Sequence, residues 1–175
     1  MNITPLGLRI LTFLARNPDN QFYLREIAKN LDKSVGGAHK TLKSLHEMGF
    51  VTGNKSGKNL YYQINQMNPS IKNFKIFMTI NELTPLINKL NDISEKIILF
   101  GSCATGEDTS KSDIDLLVLT NDKDAVNKYL HNNKFERKIQ AVVVNAAEFI
   151  KLKEQDKAFY QEIKKGIILW GSKNE

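Results

Sequence analysis

The chain has 175 residues, 41% of them hydrophobic and 25% charged, with a formal net charge of +6. That length holds one domain or two small ones, and that balance is ordinary for a globular protein. No apolar run nears the roughly eighteen residues of a membrane span, the start Met1-Asn2-Ile3-Thr4-Pro5 lacks the basic-then-apolar pattern of a secretory signal, and the single cysteine, Cys103, rules out an intrachain disulfide. No membrane partner and a cytoplasmic location are expected. His39, His46 and His131 are scattered, with no zinc-ligand spacing.

The charge is lopsided. Residues 1–91 carry 12 Lys+Arg against 5 Asp+Glu, and residues 92–175 carry 13 against 14. The basic excess belongs to the first half, which predicts a polyanion partner there.

Leu6, Ile10, Phe13 and Leu14 recur at helical spacing and stop at Asn17-Pro18. Gln21-Phe22-Tyr23 reads as a short extended piece. Residues 24–31 form a short amphipathic helix with Leu24, Ile27, Ala28 and Leu31 inward. Ser34 is the N-cap of a third helix running to about Met48, striped by Val35, Ala38, Leu42 and Leu45 and closed by Gly49. Residues 50–53 and 60–64 read as two strands around Asn54-Lys55-Ser56-Gly57-Lys58-Asn59.

Three helices followed by a hairpin, written REIAKNLDKSVGGAHKTLKSLHEMGFV at their centre, resemble the winged helix-turn-helix domain of bacterial and archaeal transcription regulators. The resemblance implies DNA as partner, with the third helix in the major groove. Off its apolar stripe stand Ser34, Gly36, Gly37, His39, Lys40 and Lys43. Ser34, His39, Lys40 and Lys43 are the candidate DNA contacts on that helix, and Lys55 and Lys58 at the wing tip are candidates for phosphates.

Residues 65–91 are helical in pattern and expected to break near Pro69 and Pro85, with Ile71, Phe74, Phe77, Met78 and Leu83 as an apolar stripe. The stripe joins two domains or forms the seam of a homodimer that reads two half-sites; a homodimer is favoured. Leu86, Ile87 and Leu90 begin a helix that covers a sheet.

Ile97-Ile98-Leu99-Phe100 runs into Gly101-Ser102, and ten residues later Asp113-Ile114-Asp115 opens a second apolar run, Leu116-Leu117-Val118-Leu119. On a strand, residues i and i+2 share a face. Asp113 and Asp115 therefore present carboxylates side by side, the arrangement that a Mg²⁺ shared with a nucleotide needs. Without a cation, two carboxylates on an apolar strand are costly. Gly101 lets a phosphate approach the backbone, and Ser102 and the amides after it, with Thr105, are candidates to bind phosphate oxygens. Beyond Leu119, residues 124–132 read as a helix, 139–144 as a strand, 146–152 and 156–165 as helices, and 167–170 as a last strand.

The segment from Phe100 to Leu119 resembles the minimal nucleotidyltransferases of the DNA polymerase β superfamily, whose signature is Gly-Ser, about ten residues, then Asp-x-Asp on a strand. The resemblance covers roughly residues 83–170. It implies an α/β fold with a small mixed sheet, Mg²⁺ as cofactor, an NTP (ATP first) as substrate or ligand, Asp113 and Asp115 as catalytic metal ligands, and Gly101, Ser102 and Thr105 as nucleotide contacts. It also implies a third carboxylate on a neighbouring strand. By alternation that position falls on Gln140; Glu136 has the same parity but lies roughly 13 Å away along the strand. Glutamine can bind a cation but cannot act as a base, so the expected behaviour is metal–nucleotide binding with slow transfer.

The organisation expected is a winged helix over residues 1–68, a helical linker over 69–82 and a nucleotidyltransferase-like domain over 83–175. Two functions compete. One is an enzyme that transfers a nucleotidyl group to a hydroxyl on a small molecule or on a protein, such as the partner toxin that small relatives modify as antitoxins. The other is a DNA-binding regulator whose second domain senses a nucleotide or binds a partner, a reading that Gln140 favours.

Overall fold

The computed structural model describes residues 3–57, 59–132 and 135–171. By contacts the chain divides after Lys75 into two compact units.

The first unit holds helices α1 (Pro5–Ala15), α2 (Leu24–Asn30) and α3 (Val35–Glu47) and strands β1 (Phe22–Tyr23), β2 (Val51–Ser56) and β3 (Asn59–Ile64). The strands pair antiparallel in the order β1-β3-β2. Helix starts follow local chemistry. Thr4 Oγ1 accepts the Gly7 N–H at 3.0 Å ahead of Pro5, and Ser34 Oγ accepts the Gly37 N–H at 3.2 Å. Gly49, with φ of +72°, takes the left-handed turn that ends α3. Ile10, Leu11, Leu14, Ile27, Ala28, Ala38, Leu42, Leu45 and Ile64 make the core. Three helices with a wing on an antiparallel sheet are the winged helix-turn-helix fold. Val35 departs from expectation: it is 44% exposed. As the first helical residue of α3 it lies ahead of Ala38, where the buried stripe begins.

Helix α4 (Pro69–Leu90) runs unbroken with Pro85 inside it. Pro85 removes one amide donor from the helix, at a point where Asn81 and Pro85 both lie on the exposed side of α4. The buried line of α4 is Ile71, Lys75, Thr79, Leu83, Leu86 and Leu90. Its steps of four and three place Phe77 on the other side, and Phe77 is 61% exposed instead of lying in the stripe.

The second unit continues with β4 (Lys96–Phe100), α5 (Ser102–Thr105), β5 (Ile114–Leu119), α6 (Lys123–Asn132), β6 (Ile139–Val144), α7 (Ala146–Gln155), α8 (Lys157–Lys164) and β7 (Ile167–Gly171). The sheet order is β6-β5-β4-β7, with β5 and β6 parallel and the other pairs antiparallel. Alternation gives the sheet two apolar faces. Ile97, Leu99, Ile114, Leu116 and Val118 pack with Leu83, Leu86 and Leu90 of α4 and Val126 of α6. Ile98, Phe100, Leu117 and Val144 pack with Phe149 and Leu152 of α7 and Phe159 and Ile163 of α8.

Candidate functional site

Asp115 is the second residue of β5, and Asp113 stands just before the strand. Asp115 pairs in register with Phe100 of β4 on one side and with Gln140 of β6 on the other. Parallel partners share a face, so Gln140 lies directly beside Asp115, at the position that alternation assigns to a third acid. Gln140 is exposed, and Asp113 and Asp115 are half-buried.

Gly101 joins β4 to the single turn of α5 with φ of +69°. A Cβ built there would collide with the Asp115 carboxylate. Glycine is thus required both by the backbone angle and by the closeness of the acid. Ser102 is half-buried at the start of α5. Thr105 is exposed, and its hydroxyl donates to the Ser102 carbonyl at 3.1 Å. The turn and both carboxylates therefore meet at one end of β4 and β5.

Burial, then Asp113, then Glu162 of α8 raise the pKa of Asp115 above the ordinary carboxylate range. Lys138 Nζ donates to Asp113 Oδ2 at 2.9 Å. That hydrogen bond, followed by the carboxylate's charge, raises the Lys138 pKa. The same parity that flags Gln140 in the sequence also flags Lys138, a signal not used in reading it.

Cys103 is fully buried beneath the turn and donates from Sγ to the Asp113 carbonyl at 3.4 Å. Burial pushes its thiol up to about 11. It anchors the turn to the Asp113 segment, and little reactive thiolate forms at neutral pH. Native protein treated with iodoacetamide at pH 8 should stay unlabelled at Cys103, with full labelling after denaturation, as read by intact-mass spectrometry.

Arg137, just before β6, ties this region together. Nη1 donates to Asp108 Oδ2 at 3.0 Å, and Nη2 donates to Thr79 Oγ1 at 2.8 Å and to Glu82 Oε2 at 3.1 Å. Nη1 also reaches Cys103 Sγ at 3.5 Å. Nothing in the local sequence pattern around Arg137 announces this role, because its partners come from α4 and the loop after α5.

Residues 81–175 match the family model for polymerase beta nucleotidyltransferases. The chain belongs to that family. Three solved structures are similar over parts of the chain. A candidate nucleotidyltransferase from Sulfolobus solfataricus is 15% identical over 59% of this chain and 89% of its own, with a TM-score of 0.41. A homodimeric winged helix-turn-helix DNA-binding domain from Mycobacterium bovis is 21% identical over 46% of this chain and 71% of its own, with a TM-score of 0.39. The adhesin competence repressor of Streptococcus pyogenes is 21% identical over 50% and 68%, with a TM-score of 0.37. Curated proteins gave no match.

The donor set of this nucleotidyltransferase fold suits a hard cation. Asp113 and Asp115 offer oxygen, Gln140 an amide carbonyl on the same face, and the bare Gly101 keeps room beside Asp115. Among the described residues no three His, Cys, Asp or Glu side chains converge. A magnesium ion here would complete its shell from phosphate oxygens and water, its usual habit.

On the winged helix, His39, Lys40 and Lys43 are exposed on α3, and Lys55 is exposed on β2. Ser34 is exposed but its Oγ is engaged as the α3 cap. Lys58 lies outside the described residues. Exposed Val35 and the open side of Gly36, where a Cβ would meet nothing within 4 Å, add a small apolar surface at the start of the same helix. No helix among the described residues is long and apolar enough to cross a membrane.

Proposed function

We propose that this chain is a Mg²⁺-dependent nucleotidyltransferase, with ATP the first NTP to test, tethered to a DNA-binding winged helix. The observation that carries the reading is the meeting of the Gly101 turn with Asp115, at a distance only glycine permits. Magnesium would supply charge neutralisation on the transferring phosphate. Asp113 and Asp115 would hold it, and Gly101, Ser102 and Thr105 would position the phosphates. The acceptor is a hydroxyl on a small molecule or on a protein, a partner toxin among the candidates. Incubation with α-labelled ATP, Mg²⁺ and a cell lysate tests it: labelled adducts support the reading, and none with any NTP overturns it.

A second reading, a regulator that senses a nucleotide without transferring it, is favoured by Gln140 beside Asp115 and by Lys138 on Asp113. Mg·ATP binding with no adduct would support it.

For the winged helix the proposal is duplex DNA, bound as a homodimer, with Ser34, His39, Lys40 and Lys43 of α3 and Lys55 of the wing as candidate contacts. The full chain should lose affinity steeply as salt rises. Lys40→Ala with Lys43→Ala should flatten the log–log salt slope by up to about two units if both touch phosphates. Fluorescence anisotropy against salt reads this, and affinity that ignores salt would argue for a protein partner instead.

A further inference from the structure

We propose that Glu162, supplied by α8 instead of by the neighbouring strand, is the general base that takes the proton of the attacking hydroxyl. The inference rests on the transferase reading above.

Gln140 holds the third-acid place and cannot accept a proton. Lys138 is engaged by Asp113. Glu136 lies before β6, four residues from Gln140. The face that carries Asp115 and Gln140 also carries Phe100, Leu117 and Val144, and α8 packs on it. Phe159 meets Phe100 edge to face, with ring centroids 5.5 Å apart. Phe100 is the register partner of Asp115. Glu162 stands three residues after Phe159, on the same side of α8 one turn along, next to buried Ile163. The end of the helix is fixed by Gly166, where a Cβ would strike the Leu99 carbonyl and Ile98. The position is thus held by packing at both ends. The Glu162 side chain is exposed, open to an incoming acceptor.

The step balances as a simple substitution. The acceptor oxygen bonds to the α-phosphorus while the bond from that phosphorus to the oxygen bridging to the β-phosphate breaks. Pyrophosphate leaves with that electron pair. The hydroxyl proton passes to the Glu162 carboxylate and from there to water.

The test uses the full chain with α-labelled ATP and Mg²⁺, and water, the protein itself and a cell lysate as acceptors. Glu162→Gln should lower transfer by about 10²–10⁴-fold, the usual contribution of a positioned base, with Mg·ATP affinity by calorimetry unchanged. Without Mg²⁺, the same variant should bind ATP more tightly than wild type, because one charge that repels the triphosphate is gone. Adding Gln140→Asp to Glu162→Gln should restore transfer. Unchanged transfer in Glu162→Gln overturns the proposal. Loss of Mg·ATP affinity in both Glu162→Gln and Glu162→Asp overturns it too, because the residue would then hold nucleotide. These two outcomes leave the transferase reading standing. A wild type that transfers from no NTP to any of the acceptors overturns that reading and the base together, before any variant is made.

Discussion

Asp113→Ala and Asp115→Ala should each abolish Mg²⁺-dependent ATP binding while the chain stays folded. Each removes one of the two charges available to a divalent ion at this site, and no third carboxylate converges on them among the described residues. Calorimetric titration of ATP with and without Mg²⁺ checks it, and unchanged affinity in both variants would sink the metal site. A stability effect of opposite sign accompanies the loss. The pKa of Asp115 is raised in the fold by burial, Asp113 and Glu162. The folded chain therefore holds that proton more tightly than the unfolded chain, and stability falls as pH rises through the interval between the two pKa values. Above both, ionised Asp115 is a standing penalty. In EDTA at neutral pH, Asp115→Asn should melt higher than wild type, with the difference vanishing below the ordinary value of 3.8. Saturating Mg·ATP should reverse the order, because only wild type binds it.

Arg137→Ala should be the most damaging single change to the second unit. It would leave Glu82 and Asp108 without the guanidinium that pairs with both, at side chains 21% and 9% exposed. Breaking a buried pair by removing one partner typically costs several kcal/mol; the lower end, about 3 kcal/mol, applies because Arg137 itself is 22% exposed. For a unit of this size that corresponds to a fall in Tm of roughly 10 °C or more. Arg137→Lys should recover little, because an ammonium cannot span Thr79, Glu82 and Asp108 in one plane. Scanning calorimetry reads both, and a change of only a degree or two would show that the cluster is structurally idle.

The elements were legible wherever the signal is local. The Ser34 cap, the Gly49 stop and the alternation of β4, β5 and β6 are each written within a few residues, and the structure has all of them. The Gly101-Ser102 turn and the Asp113–Asp115 pair were legible from their spacing, whereas the closeness of Asp115 to Gly101 depends on the register of β4 with β5. What escaped depends on partners distant in sequence. Pro85 suggests a break, yet it lies on the exposed side of α4 and the helix continues. Val35 and Phe77 read as core by composition, but which side of a helix is covered is decided by its neighbours. Arg137 draws on residues 55 and 58 positions away for Glu82 and Thr79. Glu162 sits on an ordinary-looking amphipathic helix, and only the docking of Phe159 on Phe100 places that helix on the sheet face that carries Asp115.

Sheet order also has a consequence for synthesis on the ribosome. The first unit draws all its strands from residues 22–64, so it can fold as soon as that stretch has emerged. In the second unit β4, which carries the glycine turn, is flanked by β5 and by β7, and among the described strands β7 is made last. At about 5–20 residues per second, the hundred or so residues after Lys75 take roughly 5–20 s to add. During that interval the nascent chain carries a finished winged helix, while β4 keeps one open edge, the kind of edge that pairs with other chains. A ribosome stalled before Ile167 would release a product with its first unit complete and its nucleotide fold unsealed.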